Sequence, residues 1–322
     1  MILRVSFPFW AAAGLSLVLL APPAAAASKG ARPRGVNART GRVAPPFSQL
    51  VKAHKKNDVA ALERLAARFG VARLAEGARG TDLAVAEASL AAIPLARGGV
   101  VLAAAVAERL DPREPALAAA AARALGALPD GDAPADLADW EVPPDVVARA
   151  CAGLRALASN AEAAQAARLA ALDALGAAQV TCPVLGELGS LVRDPAPAVR
   201  RAAALLLPAG DARAQPALHD GMADPDPSVS AACVASVCRR AEPAARGGQG
   251  PLAALVTQAT GAARALVAAP TTRPEDAVEM LSCVAAAGTP ADRALLERLR
   301  AGAAPPVRER AALLLGAGGK PE

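Results

Sequence analysis

Five cysteines, Cys151, Cys182, Cys233, Cys238 and Cys283, are the residues of this 322-residue chain best suited to covalent chemistry. Cys151 and Cys182 are 31 residues apart, about the length of one helical hairpin, so they can face each other across adjacent hairpins. Cys283 can likewise reach Cys233 or Cys238 on a preceding helix, and an odd count leaves at least one thiol free. The same five also suit Ala-rich faces as small buried hydrophobes. A metal site is not expected: no His lies near them, and Cys233 and Cys238, at i and i+5, do not share a helix face. The two histidines carry no more. His54 sits among Lys52, Lys55 and Lys56, and His219 precedes Asp220 at a helix end, where a positive charge is favourable. Neither accompanies a nucleophile motif. Gly247-Gly248-Gln249-Gly250 lacks the Lys-Ser/Thr and the preceding strand of a phosphate loop. The acids Asp130, Asp132, Asp136, Asp139 and Glu141 surround Trp140 without the spacing of a calcium loop, and Pro134 interrupts them. They read as a long connection with Trp140 packed over its edge. No catalytic, cofactor-binding or metal-binding residue is therefore expected.

The elements that must position these residues are helices. The chain is 54% apolar, yet it has four Phe, two Trp and no Tyr, so its core is built from Ala, Leu and Val. Ala has the best intrinsic helix propensity, and small side chains let helices pack closely. An all-α fold follows. Helical pattern begins at Phe47. Val59, Leu62, Leu65, Ala66 and Phe69 keep the i, i+3, i+4 spacing, with Asn57 or Asp58 as cap and Gly70 as stop. A helix pair is expected over Thr81–Leu110, broken near Pro94 and Gly98-Gly99, and further helices over Glu114–Leu128, Pro144–Ala158 and Ala161–Ala177. The two clearest hairpins are Pro183–Val192 with Pro197–Leu207, and Gln215–Met222 with Ser228–Glu242. After a Gly/Pro loop at Ala245–Pro251 come Leu252–Ala268, Pro274–Ala286, Ala291–Ala301 and Pro305–Leu315.

An internal copy decides the architecture. Asp194-Pro-Ala-Pro-Ala-Val-Arg-Arg-Ala-Ala recurs 30 residues later as Asp224-Pro-Asp-Pro-Ser-Val-Ser-Ala-Ala-Cys, a period that marks a repeat array. Each copy is a turn followed by a helix start, and Val199, Ala202, Ala203 and Leu206 form one apolar stripe. Ala304-Pro305-Pro306-Val307-Arg308 repeats the start without the Asp, and Asp111-Pro112 repeats the turn with Leu117 where the Arg would be.

The turn Asp194…Val199-Arg200 followed by Ala202-Ala203…Leu206 resembles the second-helix signature of HEAT repeats, closely over 183–242, fairly over 290–316, and through helix periodicity alone over 47–180. The resemblance implies an α-solenoid of stacked antiparallel helical hairpins. It also implies that Asp194 and Arg200 form an Asp/Arg ladder between neighbouring repeats. Asp224 occupies the matching Asp position, but Ser230 replaces its Arg, and Gly302 stands where Arg308 would need an Asp, so neither copy completes the ladder in the same way. By resemblance the chain is expected to be a superhelical protein-binding scaffold, with a cofactor-attachment helper or lyase as the alternative.

Compartment is read from the ends. Arg4, the apolar run Phe7–Leu20 and Ala24-Ala25-Ala26-Ala27 have the layout of a secretory signal peptide, and the run is too short and too Pro-interrupted for a spanning anchor. Lys29, Arg32 and Arg34 after it oppose translocation, which keeps an envelope protein tethered by an uncleaved segment as an alternative. The expected plan is a signal peptide at 1–27, a flexible basic linker at 28–46, the helical-repeat domain at 47–316 and a disordered tail at 317–322. Residues 1–57 hold nine cations and no acid, whereas the rest has 26 cations against 30 acids. The net charge of +5 therefore describes a basic leader on a mildly acidic body and excludes a nucleic-acid-binding array. The expectation is an exported chain, periplasmic or extracellular, with protein partners, no nucleic acid and no stable membrane insertion once the signal is removed.

Overall fold

Proline sets where most helices begin. The computed structural model describes residues 46–128, 142–177, 182, 185–240 and 250–317, and contains no strand among them. Its helices are α1 (Phe47–Lys55), α2 (Val59–Arg79), α3 (Leu83–Ala92), α4 (Ala103–Ala107), α5 (Pro115–Gly126), α6 (Pro144–Ser159), α7 (Gln165–Gly176), α8 (Pro197–Leu206), α9 (Gln215–Gly221), α10 (Pro227–Arg240), α11 (Pro251–Leu266), α12 (Pro274–Ala287), α13 (Pro290–Gly302) and α14 (Pro305–Ala317). Eight of these start on a proline, whose fixed φ suits the first turn and whose missing N–H costs nothing there. Of the six others, α2 and α3 are capped by Asp58 and Asp82, which accept from Ala61 N and Val85 N.

Contacts divide the chain into Met1–Val43 and Ala44–Glu322, and every described residue lies in the second unit. In that unit α3, α5, α7, α8, α10, α12 and α14 each pack on the next, forming one continuous layer. Each is backed in turn by α2, α4, α6, a 3₁₀ segment at Leu185–Arg193, α9, α11 and α13, so the described residues build seven hairpins in two layers, with α1 covering the first. This is an α-solenoid, in which every repeat buries its apolar face only on its neighbours. The first layer is Ala-rich so that helices can approach: in α5 Leu117 through Ala122, Ala124 and Leu125 are all buried, and a Cβ on Gly126 would lie 3.3 Å from the Ala174 Cα of α7. Fully buried leucines, among them Leu125, Leu154, Leu172 and Leu218, supply the larger apolar areas.

Gly70 ends the first helical run as expected: its φ of 68° and ψ of 166° are non-helical and suit glycine alone, and a second run follows at once to Arg79, so α2 is two helices meeting at a kink. Two expectations are corrected. Thr81–Leu110 is not one hairpin. Pro94, Gly98 and Gly99 separate α3 from the short α4 through two 3₁₀ turns, and α3 pairs back with α2 while α4 pairs forward with α5. The helix expected at Pro183–Val192 is 3₁₀ over Leu185–Arg193. Two glycines lower its α propensity, and they let it press on the next element: a Cβ on Gly186 would sit 2.4 Å from the Asp211 carboxylate. The signal, the linker before Pro46, the acidic stretch around Trp140, the loop at 241–249 and residues 318–322 lie outside the described residues.

Candidate functional surface

The inter-repeat ladder exists in a shifted register. Arg200 does not reach the Asp194 carboxylate; its Nε and Nη2 donate to Asp224 Oδ2 and Oδ1 at 2.8 and 2.9 Å, while Nη1 donates to the Asp194 backbone carbonyl at 2.9 Å. The Asp194 carboxylate is held instead by Arg168 of α7, through Nη1 to Oδ1 at 3.3 Å and Nη2 to Oδ2, and it accepts from Ala196 N at 3.0 Å. Arg168 Nε donates to the carbonyl of Ala158 at the end of α6. The result is a run Arg168–Asp194–Arg200–Asp224 linking three successive hairpins. Arginine's planar fork is what permits each bidentate grip. Arg168 and Asp194 are 5% and 9% exposed, so this rung is a buried ion pair. Burial by itself would raise the Asp194 carboxyl, but the Arg168 hydrogen bonds, the Ala196 N–H and the charges of Arg168 and Arg200 outweigh it and hold it below the usual carboxylate range. Ser230, in the Arg position of the next copy, donates to the Met222 carbonyl at 2.7 Å.

A longer staple joins next-but-one neighbours. Arg201, on the same turn of α8, donates to both oxygens of Asp276 in the first turn of α12 at 3.0 and 2.8 Å, passing over α10. The pair ties α8 directly to α12, its next-but-one neighbour in the layer. Asp173 of α7 has no ion-pair partner among the described residues and reaches solvent, and partial burial raises its carboxyl above the ordinary value. Arg123-Ala-Leu-Gly126 and Asp173-Ala-Leu-Gly176 are matching segments of adjacent α5 and α7, so Arg123 occupies the equivalent position.

The cysteines fasten both layers. Cys151 of α6 and Cys182, before the 3₁₀ segment, form a disulfide with Cα atoms 5.6 Å apart. Cys238 of α10 and Cys283 of α12 form a second at 5.2 Å. Cys233 is free and buried against Gly221. Burial, with a smaller push from Asp224, raises its thiol to about 12, which leaves no thiolate for chemistry. His54 is half-buried on α1, and His219 Nδ1 lies 3.3 Å from Asp220 Oδ1 on α9, at a different repeat. No three metal-ligating side chains converge among the described residues.

Sequence reading missed Arg168, Arg201 and Asp276, and also Arg264, whose Nε and Nη2 donate to Asp292 at 2.7 and 3.0 Å. A signal for most of them was available: Arg168–Asp194, Arg200–Asp224 and Arg264–Asp292 are separated by 26, 24 and 28 residues, about one repeat. Arg201–Asp276, at 75, carries no such period.

No protein-family model and no curated protein matches the chain. Among solved structures it is similar to a designed armadillo repeat protein (15% identity, TM-score 0.37, covering 77% of this chain and 99% of the other). It is also similar to human deoxyhypusine hydroxylase in complex with glycerol (18% identity, TM-score 0.33, 84% and 93%) and to an engineered protein (16%, 0.32, 84% and 95%). These TM-scores lie below 0.5, and the architecture rests on the chain's own packing. It is an all-α solenoid of stacked helical hairpins.

Proposed function

We propose that the chain is a non-catalytic protein-binding scaffold exported to the cell envelope, and that it receives its partner on the helical layer bearing Arg123 and Asp173. One observation carries this reading: successive repeats are locked to one another by buried Arg–Asp rungs, by the Arg201–Asp276 staple and by two disulfides. A face whose repeats are fixed to one another before binding loses little conformational freedom when a partner docks. Two disulfides fit an oxidising environment, which supports export. No helix among the described residues is long and apolar enough to cross a membrane.

Photocrosslinking tests the assignment. A photoreactive residue replacing Arg123 or Asp173 should capture the same protein in the native compartment, and one replacing the exposed Ser190 of the opposite layer should not. Equal capture from all three positions would argue against the face. A haem or other chromophore that co-purifies in stoichiometric amount would favour the cofactor-attachment alternative.

A further inference from the structure

At the start of the solenoid an open cavity of about 540 Å³ lies between α1 and the beginning of α3, with Val51, Ala84 and Val85 in its wall and Lys52, Lys55 and Lys56 around it. We propose that this end is a docking site for an anionic lipid surface. The first argument is composition. The chain has thirty arginines and five lysines, and three of the five are these. Every ion pair among the described residues is made by an arginine or by His219, and none by a lysine. Arginine's fork suits fixed carboxylates such as Asp224 and Asp276, whereas lysine is a point charge on a flexible apolar stem, suited to a diffuse layer of phosphates.

Local charge agrees. One acid, Asp82, lines the cavity against three lysines, and it and Asp58 each cap a helix N-terminus, accepting from Val85 N at 3.1 Å and Ala61 N at 2.9 Å. Upstream, Lys29, Arg32, Arg34, Arg39 and Arg42 precede α1 with no acid before Asp58. Apolar exposure supplies the other half of an interfacial site. Three large hydrophobic residues are exposed among the described ones, and two of them are here: Val59, three residues past Lys56 and 55% exposed, and Leu83, adjacent to Ala84 and 53% exposed. Aliphatic side chains flanking ammonium groups match the boundary between headgroups and acyl chains. An acidic protein would use the charges but not the two exposed aliphatics.

The test is co-sedimentation of the protein, as it is exported, with vesicles of phosphatidylglycerol and phosphatidylcholine or of phosphatidylcholine alone. Binding is expected only to the anionic vesicles and should weaken with salt. Lysines near an anionic surface each contribute about fivefold, so Lys52→Gln/Lys55→Gln/Lys56→Gln, with the leader intact, should bind about a hundredfold more weakly at an unchanged helical signal and melting midpoint. Leu83→Ser with Val59→Ser should weaken binding while leaving its salt dependence in place. Parent-like binding by the triple variant would assign the effect to the leader and overturn the site. No parent binding to anionic vesicles would also overturn it, and so would lysine-dependent binding of poly-glutamate without vesicle binding, which would point to an acidic protein instead.

Discussion

Asp194→Ala should be among the most damaging substitutions on the ladder. The carboxylate receives two Arg168 nitrogens and the Ala196 N–H, and both members of the ion pair are nearly excluded from water. Removing it leaves the Arg168 guanidinium buried with only the Ala158 carbonyl as a partner. An uncompensated buried charge of this kind costs about 3–5 kcal/mol, and the lost turn hydrogen bond adds about 1 kcal/mol. Against a stability of about 5–15 kcal/mol for a typical domain, that should melt α7 and α8 together, since each repeat relies on the next. The control is Arg193→Ala, which removes the exposed Arg193–Asp220 pair and should cost under about 1 kcal/mol. Urea unfolding followed by helical signal reads both. The double substitution Arg168→Met/Asp194→Leu should recover most of the loss, because it removes the buried charge along with its partner. If Asp194→Ala shifts the urea midpoint no further than Arg193→Ala, the buried rung does not exist as described. The pH dependence has a definite sign. A carboxyl held below its unfolded value contributes stability that is present above the ordinary range near pH 4, and that contribution is lost as pH falls toward its folded value.

Val199 is fully buried in the α8 stripe, so Val199→Asp should unfold its hairpin and the neighbours, a loss visible as reduced helical signal without denaturant. Non-reducing peptide mapping should give the linked pairs Cys151–Cys182 and Cys238–Cys283, closing loops of 31 and 45 residues and each worth about 2–4 kcal/mol; alkylation of Cys233 should require unfolding. Arg264, with Thr289, holds the Asp292 carboxyl down to about 2, so the α11–α13 clasp should persist below the ordinary carboxylate range and fail only as pH nears 2; Asp292→Asn should abolish that part of the acid profile in circular dichroism. Intact-mass analysis of exported protein should show cleavage after Ala27, and a membrane-bound species retaining Met1–Leu20 would contradict release.

Much of the architecture is legible in the residues because it depends on local chemistry. Pro197, Pro227, Pro274 and Pro305 announce helix starts through their fixed φ, and the Val199–Leu206 stripe announces a buried face through its period. The separation of Cys151 and Cys182 by one repeat length makes them candidates to pair, since stacked hairpins return the chain to the same height after about one period, and the structure closes that bond. Other features have no local signature. From the sequence Cys283 can take either Cys233 or Cys238, but residues five apart on a helix point about 140° apart. Only the position of α12 beside α10 selects Cys238, leaving Cys233 against Gly221. Arg200 illustrates the same limit. The repeat motif places an Asp six residues before it, and packing turns its side chain forward to Asp224, because Arg168 from the preceding repeat already fills the Asp194 carboxylate. The Arg201–Asp276 staple depends on how α8, α10 and α12 stack, an arrangement that no segment of the chain contains by itself. Sequence alone thus determined the helices, their hairpin period and the residues available to link them; tertiary packing decided which links close, because that depends on the rotation and spacing of helices that are neighbours in space and not in the chain.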